Sequence, residues 1–176
     1  MDTDVVVLAI ATFHALSLDE LWVAFGVKKH YRVIPVHIIA NHLGEEKAKA
    51  LPFLHAFSGC HTSSSFTSIG KKTAWETWTT FPEITETFMQ LSETPLSISV
   101  ETICQLERFV ILLYDRTSEC THVNQARNLQ FAKGRQIDRI PPTKYALTEH
   151  HQERHVPSRT YLRPNIGTIT AVTKPV

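Results

Sequence analysis

Two aspartates at the start of the chain have the type and spacing that bind a divalent metal ion. In Asp2-Thr3-Asp4 the acids are two residues apart and lead into the continuous apolar run of residues 5–11. A short β-branched run of this kind is typical of a strand buried on both faces of a parallel sheet. Because strand side chains alternate with period two, we expect both carboxylates on one side of the strand's end. Such a pair suits magnesium and phosphodiester chemistry, and the alternative is a pair of solvated acids at a frayed terminus.

A second group of residues predicts a helix end that binds phosphate. Gly70 precedes a predicted helix whose first turn is Lys71-Lys72-Thr73. A helix N-terminus offers free backbone amides and the positive end of the macrodipole. Lysines at that end are unfavourable unless an anion neutralises them, so we predict that Gly70, Lys71, Lys72 and Thr73 bind nucleic acid. The alternative is a solvated lysine pair.

The remaining candidate groups indicate structure rather than chemistry. His151 and His155 lie one helical turn apart but lack the H-E-x-x-H order, so a solvated helix end is the preferred interpretation. Cys60, Cys104 and Cys120 are widely spaced with no C-x-x-C pair, which predicts reduced structural thiols. The sequence has no G-x-S-x-G or G-x-x-x-x-G-K-[ST] motif, which argues against serine hydrolase and P-loop functions.

Length and composition indicate one ordinary globular domain. The chain has 176 residues, of which 43% are hydrophobic and 20% are charged. The run of residues 5–11 is too short to span a bilayer, and acids precede it where a secretory leader carries basic residues. We therefore expect an intracellular protein, in the nucleus or the cytoplasm, with no membrane contact. A net charge of +1 supplies no global field for nucleic acid, so any such contact must be local. The sequence leaves the oligomeric state open.

The elements that must position these residues alternate between strands and helices. We expect strands at residues 4–12, 21–26 and 31–36, the last two as a hairpin or as neighbouring edge strands. Helices are predicted at residues 36–43, 45–57, 71–80, 82–91, 100–114 and 123–133, with a short helix ending near residue 154. Residues 1–150 are expected to form the domain, and residues 151–176 an irregular tail.

Three segments resemble the flap-endonuclease and XPG-type nucleases of the PIN-like superfamily. Asp2-Thr-Asp4-Val5 looks like the D-x-D-V strand motif of that family. Residues 54–62 look like its L-L-G-[SC]-D-[YT] helix end, and residues 69–74 like the I-G-x-K-x-A start of its helix-two-turn-helix. Longer stretches resemble a group of uncharacterised animal proteins with the same domain, at residues 18–26, 70–75 and 107–117. Together the resemblance covers roughly residues 2–150.

The resemblance implies an α/β fold, namely a partial PIN-like domain with a small parallel sheet, a helix-two-turn-helix and a helical C-terminal cover. It implies metal-dependent hydrolysis of phosphodiesters in branched or flapped nucleic acid. Asp2 and Asp4 would be catalytic and, with His61, would bind magnesium or manganese. The helix-two-turn-helix, with Gly70, Lys71, Lys72 and Thr73, would grip a duplex phosphate, in the family often with a potassium ion.

Two departures from the family pattern bear on activity. His61 stands where the family has an aspartate, and imidazole suits manganese or zinc better than magnesium. An ordinary loop histidine is the other interpretation of His61. The family's further acids precede D-x-D, so we expect this chain to be the C-terminal part of the domain, with the upstream half missing. These departures leave open a non-catalytic nucleic-acid-binding remnant, or a gene fragment without enzymatic activity.

Overall fold

A computed structural model of the chain describes residues 3–16, 18–25, 29, 31–59, 66, 69–94, 99–155 and 169–172. For residues 25, 150–155 and 169–172 only the backbone is described. The chain divides into two compact units. Unit 1 consists of Met1–Pro52 and Ser158–Val176, and unit 2 consists of Phe53–Pro157. The predicted division at residue 150 into a domain and a tail stays a prediction.

Unit 1 contains a small antiparallel sheet. Helix α1 (Thr3–Phe13) is followed by β1 (Glu20–Phe25), β2 (Arg32–Pro35) and α2 (Val36–Leu43), and β3 is Ile169–Val172. The strand order is β2-β1-β3, and β1 runs antiparallel to both neighbours. The predicted hairpin of residues 21–36 is therefore confirmed, whereas the predicted parallel sheet is wrong. Parallel neighbours need a crossover of about a dozen or more residues, and only residues 26–31 join β1 to β2.

The predicted first strand, residues 4–12, is also wrong, because this segment forms α1. A continuous apolar run fits a buried strand and a buried helix equally well, since it shows no alternation. Within α1 the buried side chains of Val6, Ile10 and Phe13 recur at helical spacing, while Leu8 is 56% exposed. These three residues pack in one core cluster with side chains of β1, of α2 and of the first part of α3 (Glu45–Phe57), namely Leu21, Val23, Val36, Ala40 and Ala48.

Unit 2 is built around α6 (Val100–Tyr114), which packs against four other helices. These are α4 (Lys71–Thr80), α5 (Ile84–Glu93), α7 (Val123–Ala132) and α8 (Lys144–His155). Helices were predicted at all of these places, and the mixed α/β class of the chain is confirmed, with helix predominating. Neighbouring aromatic rings fill the core at centroid distances of 5.0 to 5.8 Å; they belong to Phe53, Phe57, Trp78, Phe88 and Phe109. The PIN-like assignment stays a prediction.

A buried acid fixes the two helices that flank a basic loop. Glu107 of α6 is only 1% exposed, and its carboxylate accepts hydrogen bonds from Lys144 Nζ at 3.2 Å and Val123 N at 3.4 Å. Val123 begins α7 and Lys144 begins α8, so one carboxylate ties three helices together. Between α7 and α8 lies a short 3-10 helix, Ile137–Arg139. This arrangement holds both ends of the segment that carries Arg135 and Arg139.

Candidate nucleic-acid interface

The predicted metal ligands are only partly described by the structure. Asp2 and His61 lie outside the described residues, and Asp4 lies in the first turn of α1 in unit 1. A shared face for Asp2 and Asp4 was expected from a strand, whereas Asp4 belongs to a helix. Within the described ranges no three His, Cys, Asp or Glu side chains come together as a metal site. The roles predicted for these three residues stay predictions.

The N-terminus of α4 begins where the sequence predicts. Gly70 is the N-cap, with φ −95 and ψ 166, and its carbonyl accepts from Ala74 N at 3.1 Å. Glycine has no side chain that could accept from the first-turn amides, as serine or aspartate would at this position. A Cβ placed on Gly70 would meet no atom of the described residues within 4 Å. The first turn also lacks an acidic residue.

The two lysines of this turn have different surroundings. Lys71 Nζ donates to the carbonyl of His55 at 3.0 Å and lies 3.4 Å from Ser58 Oγ. His55 is in the last turn of α3, where a cation stabilises the carbonyl end of the helix dipole. Lys72 has a side chain that is 91% exposed, and its ammonium lies 3.9 Å from Glu76 Oε1. Both lysines are exposed, but the ammonium of Lys71 is bound to the end of α3, whereas that of Lys72 extends into solvent.

Glu76 is shared between Lys72 and a second cation. Arg116 Nη2 donates to Glu76 Oε2, and this hydrogen bond, more than the nearby charges, holds the pKa of the Glu76 carboxyl below its ordinary value. Because Glu76 is thereby committed to Arg116, it neutralises Lys72 only weakly. An exposed pair at 3.9 Å is also worth little in water.

A groove next to the start of α4 contains two arginines that sequence reasoning missed. Its volume is about 380 Å³, and it is lined by Ile69, Leu113, Tyr114, Arg135 and Arg139. Both arginines are exposed, and Ile69 immediately precedes Gly70. Burial raises the pKa of the Tyr114 phenol to about 12, so this group adds no negative charge at neutral pH. The signal in the sequence was the basic loop of residues 133–139, in which three cations follow the end of α7.

Comparisons with known proteins do not assign the chain to a family. No protein-family model matches the chain, and no curated protein or solved structure does either. Among the described helices none has the length and apolar character that crossing a membrane requires. Function is therefore inferred from the chemistry of the chain's own residues.

Proposed function

We propose that this chain binds nucleic acid through phosphate contacts at the N-terminus of α4. The observation that carries the proposal is an uncapped helix start that presents Lys72, 91% exposed, where the macrodipole disfavours a cation. A phosphate oxygen at this place would accept from the first-turn amides and neutralise the ammonium together. The pairing turns an unfavourable local charge into a favourable one.

The residues at the start of α4 have different roles in the proposed phosphate site. Gly70 leaves the approach to the amides open because it has no side chain. Lys72 supplies a mobile point charge, which suits phosphate but carries no base specificity. Thr73 is half-buried in the same turn, and its hydroxyl is a further hydrogen-bond donor. Lys71 acts mainly by holding the end of α3 close to the start of α4.

The proposed ligand is the backbone of a duplex or branched nucleic acid. With a net charge of +1, the chain has no long-range field that would gather such a ligand, so affinity depends on a few local contacts. Contacts to phosphate position the protein without reading sequence. Such a partner fits the nuclear or cytoplasmic location expected from the sequence.

Metal-dependent hydrolysis of flapped nucleic acid is a second proposal, and it rests on the family resemblance of residues 2–5 and 54–62. Among the described residues the predicted metal ligands are represented by Asp4 alone. The other two predicted ligands, Asp2 and His61, lie outside the described residues. The potassium ion that the resemblance implies beside α4 is likewise kept as a proposal.

The test is a binding titration of a fluorescently labelled flapped duplex at several salt concentrations. Lys72→Gln is compared with Lys49→Gln, because Lys49 also pairs with a glutamate one helical turn away but lies in the body of α3. We expect Lys72→Gln to weaken binding about tenfold, as for loss of one charge-assisted contact, and to reduce the salt slope by about 1. Lys49→Gln should change affinity less than about twofold.

Two results of that titration would oppose the proposal. One is equal weakening by both lysine variants, which would indicate a diffuse charge effect. The other is absence of duplex binding by the unaltered chain. Adding magnesium or manganese to the same mixtures, with Asp4→Asn as the comparison, tests hydrolysis separately. Metal-dependent cleavage that Asp4→Asn abolishes would support the second proposal, and binding without cleavage would support a non-catalytic role.

A further inference from the structure

We infer that Arg135 and Arg139 form a second phosphate contact on the nucleic-acid strand that the start of α4 binds. This inference rests on the proposed function and names further binding residues for it. The two arginines and Ile69 line one groove of about 380 Å³. Ile69 directly precedes Gly70, the N-cap of the helix that carries Lys72, so the groove reaches the residue before that helix.

The charge of the groove is not balanced by the protein. Neither Arg135 nor Arg139 has a carboxylate oxygen within 4.0 Å among the described residues, and Arg139 makes no side-chain hydrogen bond to any of them. Asp138 is their neighbour in the chain but lines neither this groove nor the adjoining recess. Tyr114 stays neutral because burial raises its pKa to about 12. Two exposed guanidinium groups therefore line a groove in which the described residues supply no anionic side chain.

The other arginines of unit 2 whose side chains are described have clear structural partners. Arg108 Nη1 donates to the carbonyls of Ser118 and Cys120 at 2.7 and 2.8 Å. Arg127 Nη1 donates to the Pro141 carbonyl at 2.7 Å, and Arg116 is paired with Glu76. Arg108, Arg116 and Arg127 thus all bind acceptors of the protein, and Arg139 is the exception among the described arginine side chains of unit 2.

The position of Arg135 is fixed before any ligand arrives. Its Nη1 donates to the Tyr114 carbonyl at 3.2 Å, at the C-terminal end of α6, where a cation is favourable. Gly134 precedes it with φ 74, which turns the chain sharply after α7. The remaining donors of the guanidinium group form a planar fork that matches two oxygens of a phosphate.

A recess of about 570 Å³ continues from the groove and is lined by Gly134, Arg135, Gln136 and Arg139. A strand leaving the α4 site along this path would place successive phosphates against Lys72 and then against the arginine pair. Free inorganic phosphate shares the same chemistry, and the experiment below separates the two sources.

The test measures the affinity of the full chain for the labelled flapped duplex as a function of salt. Arg135→Gln with Arg139→Gln is compared with Lys133→Gln with Lys49→Gln, which also removes two exposed charges but none that lines the groove. We expect the arginine double variant to bind at least about tenfold more weakly and its salt slope to fall by about 2. The lysine double variant should leave the slope nearly unchanged. Arg135→Lys with Arg139→Lys should restore the slope but only part of the affinity.

Three results would overturn the inference in distinguishable ways. If Lys72→Gln weakens binding and the arginine double variant does not, the second contact is wrong and the α4 site stands. If the unaltered chain does not bind the duplex, both proposals are wrong. If the arginine double variant loses binding of inorganic phosphate but keeps the duplex affinity and salt slope of the unaltered chain, the ligand of the groove is free phosphate. The single variant Arg139→Gln controls for misfolding. Because the Arg139 side chain has no hydrogen-bond partner among the described residues, this change should weaken binding without affecting the fold.

Discussion

Two helix N-termini of this protein carry opposite charges. The acidic one is favourable for the helix that carries it, whereas the basic one is unfavourable unless an anion binds there. Helix α1 has Asp4 in its first turn, where a carboxylate complements the macrodipole. Helix α4 begins with Lys71 and Lys72, where cations oppose it. The charge of Asp4 therefore agrees with the dipole of its helix. The lysines of α4 need a further reason.

That reason differs between the two lysines. The ammonium of Lys71 bonds to the carbonyl of His55 and so stabilises the end of α3, which explains its presence. Among the described residues, Lys72 has only the weak, shared contact with Glu76 at 3.9 Å. An anion from outside the chain is the partner that would explain Lys72. Lys72 is consequently the residue on which the proposed phosphate site at α4 rests.

Reversing the charge at α4 should have the largest effect. Lys72→Glu removes one phosphate contact and adds a repulsion, so duplex affinity should fall roughly 100-fold, about twice the free-energy loss of the neutral variant. The free energy of unfolding should stay within about 0.5 kcal/mol of that of the unaltered chain. The new glutamate interacts favourably with the helix dipole but repels Glu76 one turn away. Titration of labelled duplex and thermal unfolding measure both quantities. If Lys72→Glu lost both its affinity for duplex and its folded structure, the contrast between the N-termini of α1 and α4 would have no support.

Removing the acid of α1 should affect stability but not binding. Asp4→Asn loses a favourable dipole interaction, so the free energy of unfolding should fall by about 0.3–1 kcal/mol. Duplex affinity should remain within about twofold of that of the unaltered chain. Denaturant unfolding and the same titration test this expectation. A large loss of binding in Asp4→Asn would show that the two helix ends act in one site.

The phenol of Tyr114, which lines the groove beside α4, should ionise only at high pH. Its ionisation should therefore change the free energy of unfolding at alkaline pH and not at neutral pH. An unfolded tyrosine has a pKa near 10, and burial raises that of Tyr114 to about 12. Between these values the unfolded chain loses the proton first, so the free energy of unfolding falls as pH rises from about 10 to 12. Below pH 10 the contribution is fully present.

Tyr114→Phe is the matched variant for this effect, since it removes the phenol and keeps the ring. It should lose less stability than the unaltered chain over that alkaline interval and match its duplex affinity at neutral pH. Unfolding curves collected across the interval provide the measurement. Parallel curves for the two proteins would contradict the assigned burial of the phenol.

The sequence predicted the local elements of unit 2 better than those of unit 1. Periodic apolar residues identify α6, whose Leu106, Val110 and Leu113 are buried as the pattern requires. The run of residues 5–11 is apolar without period, so it could not distinguish a strand from α1. With the first strand wrong, the parallel sheet and the shared face of Asp2 and Asp4 lost their basis as well.

The start of α4 was predictable because its signals are local. Gly70 followed by two lysines marks a helix end through charge and capping chemistry alone. The partner of Lys71 was not predictable, since His55 lies sixteen residues earlier and meets it only in the folded chain. The same holds for Arg135 and Arg139, which join Ile69 in one groove from a distant part of the sequence. Long-range placement of this kind leaves no periodic signal.

The most direct test of the α4 site places a side chain of the protein itself on the first-turn amides of the helix. Gly70→Asp supplies an N-cap acceptor and a negative charge, so it should raise the free energy of unfolding by a few tenths to about 1 kcal/mol. Because that carboxylate occupies the amides proposed for phosphate, duplex affinity should fall by about tenfold. Gly70→Ala adds a Cβ into open space without an acceptor and should stay within about threefold. A Gly70→Asp protein that is stabilised and binds duplex with unchanged affinity would contradict the proposed site.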